Sequence, residues 1–377
     1  MKPRNIVAIS RKEFFHLVRD FRSLYLAFAV PLILILLFGY ALSLDVDNIE
    51  TVVVDYDKTD LSREFIRHLD ASPYFHVGAS LKNTGEVTNH LDHGWALMAV
   101  VIPPDWTKQI RADREAPLQI LLDGSDPNFA SITRGYVNAF IEQYNQKLLF
   151  GFLNRQGMGK IKVPVEGRVR IWFNEDLESR NFIIPGIIAV IIMIVGAVLT
   201  SLVIAREYEN GTMETIKSLP INAGEFLIGK AIPYFCVGMI DFLIAILMGQ
   251  LLFGIVMKSS FWLMIAASSI YLAVALALGL LISSTTKSLL VANQGAILLT
   301  FLPSMLLSNF VFPVINMPKI LQMITYIVPA TYYINILNSL YLRNLGISHL
   351  WTSFAVLIGM FILLAVANCL LLKKEGL

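Results

Sequence analysis

Asn181 to Ala205 is a run of 25 residues without one charged side chain, bounded by Arg180 and Arg206. A helix crossing a bilayer needs about 20 apolar residues, so this run alone directs the chain into a membrane. Five further runs of similar length follow the same rule: 23–44, 231–254 (interrupted only by Asp241), 261–283, 289–310 and 350–372. The expected fold is therefore an α-helical polytopic membrane protein with six transmembrane helices. Segment 311–345 is also apolar, but Pro313, Pro318 and Pro329 interrupt it. A lipid-exposed helix tolerates such breaks poorly, so short helices dipping back into the outer leaflet are expected there, with a seventh span as the rival reading.

The charges are segregated. Residues 45–180 carry 20 of the 28 acidic and 15 of the 30 basic side chains, so the 15% charged fraction averages over two materials. The inserted block reads as a water-soluble mixed α/β domain: short apolar strands at 51–54, 96–102 and 118–122, a helix opened by Thr59, a long helix near 129–150, and a closing strand at 169–173. At about 130 residues it can bury its own core without staples. The two cysteines, Cys236 and Cys369, both lie in apolar runs, so no disulfide framework is expected. A net charge of +2 points to no nucleic-acid partner.

Orientation follows from the short flanks. With the N-terminus inside, twelve Lys and Arg residues fall on the cytoplasmic side and only Lys258, Lys319 and Arg343 on the other. Both termini are thus expected in the cytoplasm and residues 45–180 outside it. A cleaved signal peptide is the rival reading of the N-terminus, but its apolar core typically has about 7–15 residues, fewer than the 23–44 run.

Residues 1–22 form an amphipathic segment. At helical spacing Ile6, Val7, Phe14, Leu17, Val18 and Phe21 share an arc of about 120°, and Arg11, Lys12, Glu13, His16, Arg19 and Asp20 occupy the rest. Such a helix lies in the headgroup layer, either as an anchor alone or as a docking surface for a cytosolic partner. The loop 206–230 carries four acids, Glu207, Glu209, Glu214 and Glu225, where a purely topological loop should be basic. Gly211-Thr212 can break the preceding helix, with Thr212 as N-cap of a short helix stopped by Pro220. Gly224 to Lys230 fits G-x-x-x-x-G-K, yet Ala231 stands where a magnesium-binding Ser or Thr is needed, so no nucleotide site is expected.

Several of these motifs occur in a telling order: Lys12-Glu13-Phe14, Arg19-Asp20, Pro31 in the first span, the Arg206-Glu-x-Glu-x-Gly-Thr-x-Glu loop ending in Leu219-Pro220, and Pro329-Ala-Thr-Tyr332. Together they resemble the permease subunit of ABC-2 type transporters. The nearest subgroup is that of bacterial inner-membrane permeases with a large extracytoplasmic domain between spans one and two, linked to multidrug efflux. The resemblance implies an elbow helix at 1–22, a coupling helix within 206–230, re-entrant helices at 311–345, and an ABC-2 (type V exporter-like) arrangement of the six spans. It also implies partners: cytosolic ABC ATPase subunits that bind ATP and Mg, a second permease half, and a periplasmic membrane-fusion adaptor with an outer-membrane channel. The chain itself would bind no cofactor. Arg11, Lys12, Glu13, Arg19 and Asp20 of the elbow, and Glu207, Glu209, Gly211, Thr212 and Glu214 of the loop, are the residues implied to couple to the ATPase.

Inside the spans, Asp241 is the one side chain among Asp, Glu, Lys and Arg, and such a group is a functional hypothesis by default. It can sense protons, meet a cationic substrate, or act as a structural partner of Asn293 or Gln294. Phe301, Met305 and Asn309 complete the candidate substrate path in span five. In the inserted block, His90-Leu-Asp92-His93 offers metal-ligand types without a complete ligand spacing, and Asp55, Asp57 and Asp60 sit where aspartates cap helices. No metal site and no catalytic activity are expected.

Overall fold

A computed structural model of the chain describes residues 2–41, 48–112, 114–125, 127–155 and 180–377. The strand expected at 169–173 lies outside them. In chain order the elements are α1 (Pro3–Arg19), α2 (Phe21–Ala41), β1 (Ile49–Asp55), α3 (Asp60–Asp70), β2 (Phe75–Leu81), α4 (Thr84–Asp92), β3 (Met98–Ile102), α5 (Trp106–Arg111), β4 (Gln119–Leu122) and α6 (Pro127–Arg155). They continue with α7 (Arg180–Glu209), α8 (Thr212–Lys217), α9 (Ala223–Phe253), α10 (Phe261–Thr286), α11 (Leu289–Ala296), α12 (Leu302–Leu306), α13 (Lys319–Thr325), α14 (Pro329–Asn338) and α15 (Ile347–Lys374). Two compact units result, one holding α1, α2 and α7 to α15, the other holding the sheet with α3 to α6.

In the sheet unit the strand order is β2-β1-β3-β4, with β1 parallel to both neighbours and β4 antiparallel to β3. Strand β3 and the Val52–Val54 stretch of β1 are continuously apolar because both faces are covered. Ile49, Val53, Met98, Val100 and Ile102 pack with Phe65, Trp106 and Tyr144 on one face; Val52, Val54, Ala99 and Val101 pack with Val87 of α4 on the other. Thr59 caps α3 in a reciprocal box with Ser62. The sequence reading missed β2, whose alternating pattern Phe75-His-Val-Gly-Ala-Ser-Leu81 is interrupted by a glycine and exposes every second residue at a sheet edge.

In the helical unit α7, α9, α10, α15 and the broken helix Leu289–Leu306 are each long and apolar enough to cross a bilayer. Helix α2 adds a shorter apolar stretch, Phe28–Tyr40. The pair Lys319–Thr325 and Pro329–Arg343 passes the same test jointly but is bent by 77°, so the described residues of the unit contain five or six candidate spans by length and composition. The break falls before Pro329, which lacks the amide a continuous helix would need.

Helix α7 is the centre of the unit: 83% of its apolar window is buried. Its approach to α10 depends on small residues. A Cβ on Gly279 would strike the Thr200 hydroxyl and the Ala197 carbonyl, and one on Gly196 would come within 2.8 Å of the Ala275 methyl. Polar contacts reinforce the seam: Thr200 Oγ1 donates to the carbonyls of Gly196 (2.7 Å) and Leu276 (3.1 Å), and Ser283 Oγ accepts from the amides of Ile204 and Ala205. Between α11 and α12 the helix widens into a π-turn over Ile297–Phe301. Pro303 follows, and its missing amide and bulky ring disfavour an ordinary i to i−4 bond to Leu299.

Candidate functional site

Four consecutive residues end α7: Arg206, Glu207, Tyr208 and Glu209. Successive helix positions point about 100° apart, so four in a row radiate in every direction around the axis. Each reaches a different neighbour. Arg206 Nη2 lies 3.0 Å from Asp20 Oδ2 at the joint of α1 and α2. Glu207 Oε1 accepts from Lys230 Nζ of α9 (2.5 Å) and Lys12 Nζ of α1 (2.8 Å), and its other oxygen accepts from the Thr212 hydroxyl of α8. Tyr208 donates its hydroxyl to Glu375 just beyond α15. Glu209 Oε1 accepts from the amide of Leu289, the first residue of α11 (2.7 Å).

The Glu207 branch is a buried chain of alternating charge. Lys230 Nζ is 2.5 Å from both Glu13 Oε1 and Glu207 Oε1, and the three residues are 2%, 4% and 7% exposed, respectively. Buried ions persist only when paired and hydrogen-bonded, and this set closes as Lys12, Glu207, Lys230, Glu13, two cations against two anions. Tyr234 adds its hydroxyl to Glu13 at 3.5 Å. Helix α1 lies along α9 through the same contact: Ile9 seats over Gly229, where a Cβ would come within 2.8 Å of its own Cβ. The amide of Lys2 and the side chain of Asn5 both donate to Glu225 (2.5 and 2.8 Å), which therefore caps α1 from outside.

The Tyr208 branch is partly solvated. Glu375 also meets Lys287 Nζ at 2.6 Å, and Lys287 and Lys217 lie 4.9 and 5.7 Å from the centre of the Tyr208 ring. Burial tends to raise the Glu375 carboxyl, but bonds from Lys287 and Tyr208 outweigh it and hold it below the ordinary carboxylate range.

Helix α8 starts one residue earlier than the sequence suggested, with Gly211 (φ +70°) as the capping position rather than Thr212. Thr212 instead ties α8 to Glu207. Met213 and Ile216 face inward, while Glu214 is exposed.

Two placements from helical spacing are corrected. Glu13 was assigned to the polar arc of α1 but is buried against Lys230; the inward face of α1 is Ile6, Ile9, Glu13 and Leu17. Val7, Phe14 and Val18 of the apolar arc are 64%, 52% and 52% exposed. Among the loop acids Glu207 and Glu225 are buried and internally bonded, whereas Glu209 and Glu214 are exposed. The apparent phosphate-loop lysine, Lys230, is the counter-ion of this cluster. Arg11 and Arg19 are exposed on α1. The signal that could have located the cluster was a lysine at the mouth of an apolar run, Gly229-Lys230-Ala231, with acids available in two earlier motifs.

The span-five candidates separate. Phe301 and Met305 meet Phe38 of α2 and Ile187 and Ile191 of α7 around a void of about 10 Å³. Asn309 stands apart, exposed with φ +65°, its Oδ1 accepting from the Val314 amide as a turn residue. Asp241 is 1% exposed with Oδ2 lacking a partner among the described residues. Asn293 and Gln294 make no hydrogen bond to it; they lie half-buried and exposed on α11. In the sheet unit His90 and His93 each bond a helix carbonyl four residues back, and the described residues contain no cluster able to hold a metal.

A family model described as ABC-2 family transporter protein matches residues 21–370. The chain is 35% identical over 343 residues to the probable multidrug ABC transporter permease YbhS of Escherichia coli (strain K12), covering 90% of this chain and 89% of that protein. It is 32% identical over 344 residues to the probable multidrug ABC transporter permease YbhR of the same organism, with 91% of each covered. The inner membrane transport permease YhhJ of Escherichia coli (strain K12) is 24% identical over 322 residues. With its long apolar helices built around α7 and the match extending over nearly all of them, the chain is a membrane protein that belongs to the ABC-2 family of transporter permeases.

Proposed function

We propose that this chain is the permease half of an ATP-driven exporter that moves drugs or other lipophilic small molecules out across a bacterial inner membrane by alternating access. The observation that carries the reading is the junction at Arg206 to Glu209, which holds α8 and the ends of α1, α9, α11 and α15 to one helix. A push on α8 from a cytosolic ATPase would reach all of them through α7, the most buried helix of the unit. A ligand drives such a switch only by binding its two states differently, so ATP-bound and ATP-free ATPase must grip α8 unequally. In this reading the exposed Glu214, with Arg19 of α1, is the surface offered to the partner, while Glu209 ties α7 to α11 through the Leu289 amide. Glu207, Glu13 and Lys230 act inside the permease. Two halves meet about a two-fold axis, both termini are cytoplasmic, and residues 45–180 form a periplasmic domain for an adaptor leading to an outer-membrane channel. The apolar seam at Phe301 and Met305 is the proposed substrate contact.

A second reading, a cation- or proton-coupled exporter, draws on the unpartnered Oδ2 of Asp241. Transport into inverted vesicles of the assembled complex, with and without ATP, separates the two. Uptake that requires ATP and survives Asp241→Asn supports the first; uptake without ATP that is lost in Asp241→Asn replaces it with the second.

A further inference from the structure

The structure assigns the outer face of α1 as a binding surface for anionic lipid headgroups, centred on Arg4 and Arg11. Placed at about 100° per residue, α1 divides into three consecutive arcs. The first, Ile9, Glu13, Ile6 and Leu17, packs inward. The second, Phe14, Val7 and Val18, is apolar and exposed. The third, beginning directly beside Val18, holds Arg11, Arg4, Phe15, Arg19 and Lys12, all exposed, with the Phe15 ring between Arg4 and Arg19 and under the Arg11 guanidinium.

The segregation of charge has a structural cause. Glu13 is the only acid in α1, and it is turned inward onto Lys230; Asp20, the next acid, holds Arg206. Lys12 is engaged with Glu207. The outward surface is thereby left to arginines with exposed apolar side chains on both sides, Val7, Phe14 and Val18 on one and Phe15 on the other. In an isolated helix of this sequence Glu13 would stay in water, lower the net positive charge and weaken binding to an anionic surface. Folding against α9 removes that acid from the surface.

The same geometry selects lipid over an acidic protein. Arg4 and Arg11 are seven residues apart, about 10.5 Å along the axis, and adjoin the apolar arc rather than the side opposite to it. A helix whose apolar stripe enters the acyl boundary therefore sets these two guanidinium groups at the phosphate layer, where each can take a phosphate by a bidentate contact. Arg19 and Lys12 lie farther round, away from the acyl side. Phosphatidylglycerol or another anionic phospholipid matches this face; a zwitterionic lipid supplies the apolar contact without the charge.

The test uses the purified full-length permease in detergent, with no ATPase present, so its result is independent of the ATP-driven reading. The thermal midpoint is followed against added dioleoyl-phosphatidylglycerol and, separately, dioleoyl-phosphatidylcholine, for the wild type and Arg4→Gln/Arg11→Gln. Phosphatidylglycerol should stabilise the wild type beyond phosphatidylcholine, 0.5 M NaCl should erase the excess, and the double variant should need about 25-fold more of the anionic lipid, roughly fivefold per arginine. An excess that is absent in the wild type, or insensitive to salt, overturns the assignment. So does a double variant that keeps the wild-type response to phosphatidylglycerol. Because the salt arm needs no substitution, a poorly folding variant does not shelter the proposal.

Discussion

Replacing Lys230 with Met removes the cation shared by Glu13 and Glu207 and leaves two buried carboxylates facing each other with only Lys12, on the outer side of Glu207, to balance them. The side chains of Glu13 and Glu207 are 6% and 9% exposed, so water cannot take over the role of the ammonium. Breaking a buried ion pair by deleting one partner costs about 3–5 kcal/mol. The loss should appear where the cluster fastens α1 to α9, because Lys230 is the main polar link between those helices in this region. Amide hydrogen exchange of residues 3–19 reads that opening directly, and about 3 kcal/mol corresponds to exchange roughly a hundredfold faster. Adding Glu13→Gln to Lys230→Met restores a neutral set, with Glu207 against Lys12. The double variant should therefore recover much of the protection, a non-additivity of about 2 kcal/mol or more in a double-mutant cycle. Unchanged exchange in Lys230→Met, or purely additive effects in the pair, would refute the argument that charge closure holds the elbow.

Other positions yield equally direct expectations. Gly279→Val should lower the yield of folded protein sharply, since its side chain must displace the Ala197 backbone as well as Thr200; a normal melting profile on size-exclusion would contradict the close α7–α10 seam. In the sheet unit burial tends to raise Asp57, but bonds from Thr107 and Thr59 prevail and lower its carboxyl below the ordinary value. A carboxyl depressed on folding stabilises above its unfolded pKa and loses that contribution as pH falls through the folded value. Acid titration should therefore cost the wild type stability below about pH 4, and Asp57→Asn should flatten that loss, read by unfolding of the full chain between pH 3 and 6.

Much of this architecture is legible in the sequence, for reasons that differ by element. Charge-free runs mark the long helices because a bilayer imposes a length, and Val52 to Val54 and Met98 to Ile102 mark strands covered on both faces. The motif Arg206-Glu-Tyr-Glu209 is legible as unusual, but its directions are not. Spacing along one helix cannot reveal that Lys12 and Lys230 approach Glu207 from 195 residues before it and 23 after. Helical-wheel reasoning placed Glu13 with the solvated charges because an isolated helix has no partner to turn it toward. The π-turn at Ile297–Phe301 leaves only Pro303 as a clue, and an edge strand such as β2 has too little apolar pattern to announce itself.

The central claim is that α7 distributes the motion of α8 through four side chains. It is tested most directly by ATP hydrolysis of the assembled complex, with and without transported substrate, in the Tyr208→Phe/Glu209→Gln double variant. Both residues lie outside the buried Lys230 cluster, so the assembly should form and basal hydrolysis should persist. The account predicts that stimulation by substrate is lost; stimulation equal to the wild type in a correctly assembled complex would contradict it.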